Sequence, residues 1–524
     1  MTSGTLAKAG RNGLTALVVL GVWEVVGRLA LIGDGALPAP TAIVAAFWRS
    51  RSDYPQHVLA TVEAAGAGFV LGNLVAVALA VLYVLVPGVE RAGRSLMVAL
   101  FCLPVVVVAP ILAIALPGDW PKITLAALSV FFPTLVSTVQ GLRHAPGDAL
   151  GVVTSAGGGF LRQLWLVRVR AAVPDLLSGL QVAAPAAMLG ALLGEFMGSN
   201  AGLGVYLLGS LGRADPPTLW AIGLVATAIS ATAYGLFGLL RRALSTGQAE
   251  ALQVFATEVR ARPQNAGQAA LSGLRVLAWT AVSLAVVVGA WYAFIRATGL
   301  PSMLMNSPAD VWRSLVTGPH AADVRADLLP TLRASLLDAA LGSLAGIGTA
   351  FVLAVGLSLL PAAGRAVMPF AFLSQTMPIV ALTPLIALVF GRGTLTITVV
   401  TVSVTFFPAL VTVLGGLERA PTGPLAVLDS VAAGPFTTLR LVTVPNALPH
   451  LLTAVRLAAP RALTGVLLAE QFVTGTGLGG LLGHARGFLD YRMMWVIAAT
   501  VALVSVVVYM LAEALEWQVL RRRT

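Results

Sequence analysis

The sequence predicts an all-α polytopic membrane protein, built as two parallel six-helix units with about 12 transmembrane helices. Three observations predict it. Of 524 residues, 58% are hydrophobic and 10% charged, far from the roughly one quarter charged residues of a soluble globular chain. Six apolar segments in each half approach the ~20 residues needed to cross ~30 Å of hydrocarbon at 1.5 Å per residue. Finally, "GEFMGSNAGLG" from Gly194 is echoed by "AEQFVTGTGLG" from Ala469, with Glu195 and Glu470, and their Gly-Leu-Gly triplets, 275 positions apart.

In the first half the spans centre on residues 14–33, 58–86, 97–117, 121–140, 174–195 and 217–240. In the second they centre on 271–297, 329–358, 364–391, 394–415, 449–473 and 492–513. The first follows a short basic start with Lys8 and Arg11. It reads as a membrane helix, because a cleaved signal has a shorter apolar core with a small-residue site behind it. Glu24 and Arg28 stand four apart on one face of it, placed to compensate each other.

The second span contains "TVEAAGAGFVLGN" from Thr61, which resembles "TLRASLLDAALGS" from Thr331 at an offset of 270. In the third, "LPVVVVAP" from Leu103 resembles "MPIVALTP" from Met377, at 274. In the fourth, "VFFPTLVSTVQGLR" from Val130 resembles "TFFPALVTVLGGLE" from Thr405, at 275. Pro104, Pro110, Pro378 and Pro384, and the prolines of the two "FFP" triplets, either kink these spans or serve ordinary packing. Asp215 and Asp490 mark the water-exposed starts of the last spans, and Trp220 and Trp495 fit an interfacial belt.

Six spans return each unit to its starting side, so both copies share one orientation. The domain reading is 1–240 for the first unit, 241–270 for a cytoplasmic linker and 271–524 for the second. Arg91, Arg94, Arg143, Arg162, Arg168 and Arg170 fall in loops on the side of the N-terminus. The positive-inside tendency places that side, with both termini, in the cytoplasm of a multi-pass cell-membrane protein.

The net charge of +11 suits cytoplasmic loops against anionic lipid and gives no reason to expect nucleic acid. Cys102 is the one cysteine and reads as a small buried hydrophobe; the five histidines lack ligand spacing, so no metal site is expected. The two lysines, Lys8 and Lys122, are followed by Ala9 and Ile123, so neither completes a phosphate-binding GxxxxGK[ST] loop. No catalytic role and no cofactor in this chain are expected.

Between the fourth and fifth spans each half carries a segment of about thirty to forty residues starting at Gly141 or Gly416, which reads as short amphipathic helices broken by glycine and proline. Pro146 and Pro421 sit where such a helix opens. Leu161, Leu164 and Leu166, and in the other copy Leu439, Leu441 and Val442, compose an apolar knob suited to a partner's groove or to interfacial packing on lipid.

The layout resembles the permease subunits of ATP-binding-cassette importers, in the branch serving nitrate, sulfonate, taurine, bicarbonate and thiamine precursors. That family's loop carries an "EAA…G…LP" signature whose helix fits a cleft in the ATPase. Gly157 matches the signature glycine, Arg170 stands where a proline is usual, and Pro174 matches the next proline. In the second copy Ala432 holds the glycine position while Pro445 and Pro449 match both prolines. "LPAP" from Leu37, "FGRG" from Phe390 and the "FFP" triplets fit as well. So do Glu195 with Gly202 and Gly204, and Glu470 with Gly477 and Gly479.

The resemblance implies a type I importer permease with both subunits fused into a pseudo-dimer. It implies two cytoplasmic ATPase subunits holding ATP and Mg, and an extracytoplasmic solute-binding protein. Gly157, Leu164, Arg170, Pro174, Ala432, Leu439, Pro445 and Pro449 belong to the ATPase-coupling loops. Glu195, Gly202, Gly204, Glu470, Gly477 and Gly479 are gate determinants or turn anchors. The alternative is an ion- or proton-coupled secondary transporter, for which Glu63, paired by this register with Arg333, is the nearest coupling acid. The third to fifth spans read as nearly free of charge, which favours a neutral or weakly charged organic solute.

Overall fold

The computed structural model describes residues 17–244, 266–360 and 376–521, with a few positions between 361 and 375. The basic start, residues 245–265 of the linker, several residues at the start of the third span of the second half and the last three residues lie outside the described residues. Every regular element described is helical.

The first repeat runs α1 (17–28), α2 (Pro40–Arg49), α3 (Tyr54–Leu85), α4 (Pro87–Cys102), α5 (Val105–Ala115), α6 (Trp120–Arg143), α7 (Gly147–Ser155), α8 (Phe160–Phe196), α9 (Leu203–Gly212) and α10 (Pro216–Leu244). The second runs α11 (Ala266–Thr298), α12 (Pro308–Trp312), α13 (Ala321–Leu359), α14 (Ile379–Phe390), α15 (Thr394–Glu418), α16 (Thr422–Ser430), α17 (Pro435–Thr474), α18 (Gly477–Gly487) and α19 (Tyr491–Arg521).

Eight of these helices, α3, α6, α8, α10, α13, α15, α17 and α19, are long and apolar enough to cross a membrane, and the bent pair α4 and α5 makes nine. The twelve spans expected from the sequence are therefore not all present as straight helices among the described residues. The third span breaks at Leu103 and Pro104, where α4 and α5 meet at 93°. Pro104 has no N–H to continue the ladder, and the residue before a proline is driven from helical geometry.

Close packing of α3 on α6 follows from small residues every fourth position. Gly68, Gly72, Ala76 and Ala80 are buried; a β-carbon at Gly68 or Gly72 would run into Ala126, Ala127 or Val130. Gly342, Gly346, Ala350 and Ala354 repeat the stripe in α13, where Thr401 and Thr405 occupy the space. Small-residue seams let membrane helices approach closely. They also correct the register: equivalent seam residues are 274 apart, so the 270 offset is four residues short.

Five of the in-helix prolines come with a hydroxyl four residues later. Ser137, Ser178, Thr412, Thr453 and Thr464 donate to the carbonyls of Pro133, Pro174, Pro408, Pro449 and Pro460 at 2.7–3.1 Å. Such back-bonding bends a helix without breaking it, and α6, α8, α15 and α17 accommodate their prolines within one span.

The repeats interlock through their third spans. Helix α5 packs against α17 and α19, and α14 packs against α8 and α10. One apolar core runs through both, with Val106 and Leu193 from the first repeat beside Val380 and Leu467 from the second.

Candidate functional site

Helices α8 and α17 position both sets of candidate residues. Each begins in the loop after the fourth span and reaches a glutamate 35 residues on, about 53 Å farther along at 1.5 Å per residue. That length crosses a bilayer with its headgroups and leaves the first turns in the loop.

At the far end, the chain reverses around a buried carboxylate. Glu195 is 1% exposed and Glu470 0%. The Gly204 N–H donates to Glu195 at 2.7 Å and the Gly479 N–H to Glu470 at 2.8 Å. A hydroxyl from the second span completes each elbow. Thr61 donates to Glu195 at 2.7 Å and accepts the Leu203 N–H at 2.8 Å. Ser335 lies 2.7 and 2.8 Å from the two Glu470 oxygens and accepts the Leu478 N–H at 2.8 Å. The carboxylates thus satisfy the unpaired N–H groups at the starts of α9 and α18.

The glycines follow from this geometry. Gly202 has φ +137° and Gly477 φ +60°, and a β-carbon at either would collide with the carboxylate it wraps. Thr61 and Ser335 were missed in the sequence because the 270 register pairs Thr61 with Thr331. In the structural register Glu63 is equivalent to Leu337, not Arg333, and Glu63 and Arg333 are both exposed.

The elbows differ in their supports. Lys122 in α6 pairs with Asp119 at 2.6 Å and donates to Ser199 at 3.1 Å, and His57 accepts the Gly202 N–H at 3.1 Å. In the second copy Ile397 stands at the lysine position, and the chain makes a π turn, Glu470–Thr474, ending at Gly475 with φ +70°. The elbows meet between repeats: Phe196 and Phe472 pack edge to face at 5.0 Å, and Arg486 donates to the Met197 carbonyl at 3.0 Å. A cavity of ≈ 490 Å³ opens beside them, lined by Phe196, Phe472, His484, Arg486 and Phe488 among others.

Asp215 accepts from the Thr218 N–H and hydroxyl at 3.3 and 2.6 Å, and Asp490 accepts the Met493 N–H at 2.9 Å. They cap the last helices. Trp220 and Trp495 do more than float in an interfacial belt: they donate to the Ala36 and Leu304 carbonyls at 2.9 and 3.1 Å. Trp23 and Trp291 clasp the same segments through Pro38 and Asn306, fixing the "LPAP" loop and its counterpart. Glu24 pairs with Arg28 at 2.5 Å and also accepts the Thr41 N–H and hydroxyl, so it holds α2 as well as balancing Arg28.

At the near end lie the long loops. Pro146 and Pro421 immediately precede α7 and α16. Each helix closes with a 6→1 bond, Gly158 N–H to Val153 and Ala433 N–H to Leu428 at 2.8 and 3.0 Å. Each puts a left-handed residue at the turn, Gly157 with φ +74° and Ala432 with φ +50°. This is the helix-terminating arrangement that favours glycine. A π turn follows in both copies, Leu164–Arg168 and Leu439–Thr443.

The expected apolar knob needs correction here. Leu164 is 2% and Leu439 8% exposed; Leu164 packs inward with Tyr83, Leu135 and Leu142. Leu161 and Leu166, and Leu441, are exposed as expected, and Trp165 and Phe436 join them at 67% and 70%. Val442 is half-buried. The π turn shifts the helical phase by one residue, so a plain 3.6 period puts Leu164 on the wrong face. Arg170 and Pro445 are exposed, and Pro174 and Pro449 half-buried, at the bases of α8 and α17. Arg168 ties the first loop down, donating to the Leu142 carbonyl at 3.0 Å. Asn446 does the same in the second, bonding the Gly416 and Arg419 carbonyls at 3.2 Å.

The fifth span is not free of charge. Arg456 pairs with Glu516 at 3.1 Å inside the second repeat, and Arg461 follows one and a half turns later on α17.

The family model for binding-protein-dependent transport system inner membrane components matches residues 68–246 and again 342–521. The two matches start 274 residues apart, the register of the α3 and α13 seams. Among known proteins, the riboflavin transport system permease protein of Chloroflexus aurantiacus is 33% identical over 234 residues, covering 44% of this chain and 87% of the relative. The formylaminopyrimidine transport permease protein of Halalkalibacterium halodurans is 30% identical over 208 residues, covering 39% of this chain and 82% of the relative. The taurine transport system permease protein of Escherichia coli is 26% identical over 155 residues, covering 30% of this chain and 54% of the relative. Most of either of the first two relatives therefore aligns with less than half of this chain.

Proposed function

The chain belongs to the family of binding-protein-dependent transport system inner membrane components, the permeases of ATP-driven importers, and from that premise we propose that its two repeats form both halves of one translocation path. In this reading residues 1–240 and 271–524 are two six-span units of a type I pseudo-dimer, and 241–270 is the cytoplasmic linker. Both loops and both termini face the cytoplasm. Two ATPase subunits, which bind ATP and Mg, dock on the loops containing Gly157, Arg170, Pro174, Ala432, Pro445 and Pro449. A solute-binding protein delivers a small organic or anionic solute on the other side, where Glu195, Gly202 and Gly204, with Glu470, Gly477 and Gly479, anchor the turns of the outer gate.

One observation carries the reading: a single helix in each repeat joins an exposed apolar loop at one end to a closed glutamate elbow at the other. Motion imposed on Trp165 or Leu441 by ATP-driven closure of the partners moves α8 and α17 as rods. The elbows then separate at the Phe196–Phe472 contact. Conformational bias by partners requires just such a difference in contacts between states. Nothing favours ion coupling: Glu195 and Glu470 are committed to backbone, Glu516 to Arg456, and Glu63 is exposed.

Affinity purification of the detergent-solubilised chain from its native cells, followed by mass spectrometry and ATPase assay, tests the proposal. An ATPase recovered at two copies per chain supports it. A chain always recovered alone, with ion-dependent uptake in ATP-free liposomes, overturns it.

A further inference from the structure

We propose that Arg461 is a charge-selective contact for an anionic group of the transported solute, a carboxylate, sulfonate or phosphate, supplied by the second repeat alone; this rests on the permease reading above. The side chain is enclosed deep within the protein, yet it is only half-buried, while its neighbours Ala458, Pro460, Ala462 and Leu463 are sealed. No acid, hydroxyl or carbonyl among the described residues bonds its guanidinium. Arg456, on the same helix, shows the contrast, since Glu516 at 3.1 Å balances it.

A guanidinium stays charged in any protein environment, and an unpaired charge held away from water is too costly to persist. Arg461 is consistent with a folded bundle only if water reaches it, so the half-open face of α17 borders a wet interior. Thr464, one turn on, shares that face and is half-open too. The walls opposite are apolar: α17 packs against α5 and α14, and neither Val105–Ala115 nor Ile379–Phe390 contains a charged residue. An apolar cavity with one placed charge is the usual form of a small-molecule site, and the planar fork of arginine matches carboxylate, sulfonate and phosphate oxygens.

The first repeat lacks the device. Ala186 and Leu189 hold the equivalent half-open positions, so the path carries its positive charge on one wall. Arg461 stands nine residues before Glu470, between the elbow and the docking loop, where a solute in transit passes.

The test uses the full chain in membranes with its partners. Cys102 is 0% exposed and supplies a silent background. Thr464→Cys is reacted with two methanethiosulfonate reagents, one bearing an ethylsulfonate and one a trimethylammonium group. A fixed cation one turn away raises the anionic-to-cationic rate ratio about tenfold, and any effect on the thiol itself cancels in the ratio. The ratio is expected to fall by that factor in Thr464→Cys/Arg461→Gln and to persist in Thr464→Cys/Arg461→Lys. Failure of both reagents to label the folded chain, with full labelling after denaturation, overturns the proposal. So does a ratio indifferent to Arg461→Gln. ATPase recovery is measured alongside: a chain that binds no ATPase but keeps the charge preference discredits the permease reading and leaves the wet, charged site standing.

Discussion

The space a side chain would need at Gly477 is already filled by the carboxylate of Glu470. Gly477 also holds φ +60°, a conformation that costs other residues about 1–2 kcal/mol. Gly475 shares the left-handed geometry, at φ +70°, but has open space around it. Gly475→Ala is therefore expected to cost strain alone, and Gly477→Ala strain plus collision. Thermal unfolding of the solubilised chain will rank them: Gly477→Ala lowers Tm by several degrees and by more than Gly475→Ala. Equal shifts would separate the glycine from the carboxylate.

Anchoring and charge can be told apart at Glu470 itself. Glu470→Gln keeps an oxygen for the Gly479 N–H and the Ser335 hydroxyl, whereas Glu470→Ala strands buried donors at about 1–3 kcal/mol. The expected result is near-normal stability and uptake in Glu470→Gln, and a less stable chain in Glu470→Ala. A Glu470→Gln chain that is stable but dead in uptake would assign the carboxylate to the solute instead.

Opposite signs are expected at the two loop turns. Ala432 holds φ +50° with a β-carbon, while Gly157 holds φ +74° without one. Ala432→Gly should relieve strain and Gly157→Ala introduce it, each by about 1 kcal/mol. Hydrogen exchange over α7 and α16 will read the change locally. Slower exchange in α16 for Ala432→Gly, and faster exchange in α7 for Gly157→Ala, are the expected outcomes. If glycine at 432 also strengthens ATPase recovery, the departure of the second loop from the family pattern carries a functional cost.

How much of this was legible depended on what kind of residue carried the signal. Glu195 with Gly202 and Gly204 could be read because a β-carbon at either glycine would collide with the glutamate side chain, and both copies keep the letters. Thr61 and Ser335 could not, because any hydroxyl serves and the surrounding alanines align equally well at 270 or 274. The pinning role of Trp220 was hidden because its acceptor is a backbone carbonyl far away in sequence. The break of the third span at Leu103 and Pro104 was hidden because hydropathy is continuous where the chain turns. Arg461 was overlooked for the opposite reason: its letter was plain, but an apolar setting disguised it as an ordinary packed helix.

The loop faces give the last prediction. Leu164 and Leu439 are buried, whereas Trp165 and Leu441 project from the same π turns at 67% and 59% exposure. Truncating a buried leucine to alanine costs about 2–5 kcal/mol through lost contacts and the cavity left behind, so Leu164→Ala should lower the unfolding temperature. Trp165→Ala removes a side chain with little native packing to lose. It should leave unfolding within about 0.5 kcal/mol of the parent, yet sharply reduce ATPase recovery, because exposed tryptophans are the residues most often dominant in docking energy. Combining Trp165→Ala with Leu441→Ala separates the loops. If each loop holds one ATPase, the double variant loses both copies while either single change loses one. A Trp165→Ala chain that unfolds earlier and retains both ATPases would instead make the exposed face a lipid contact.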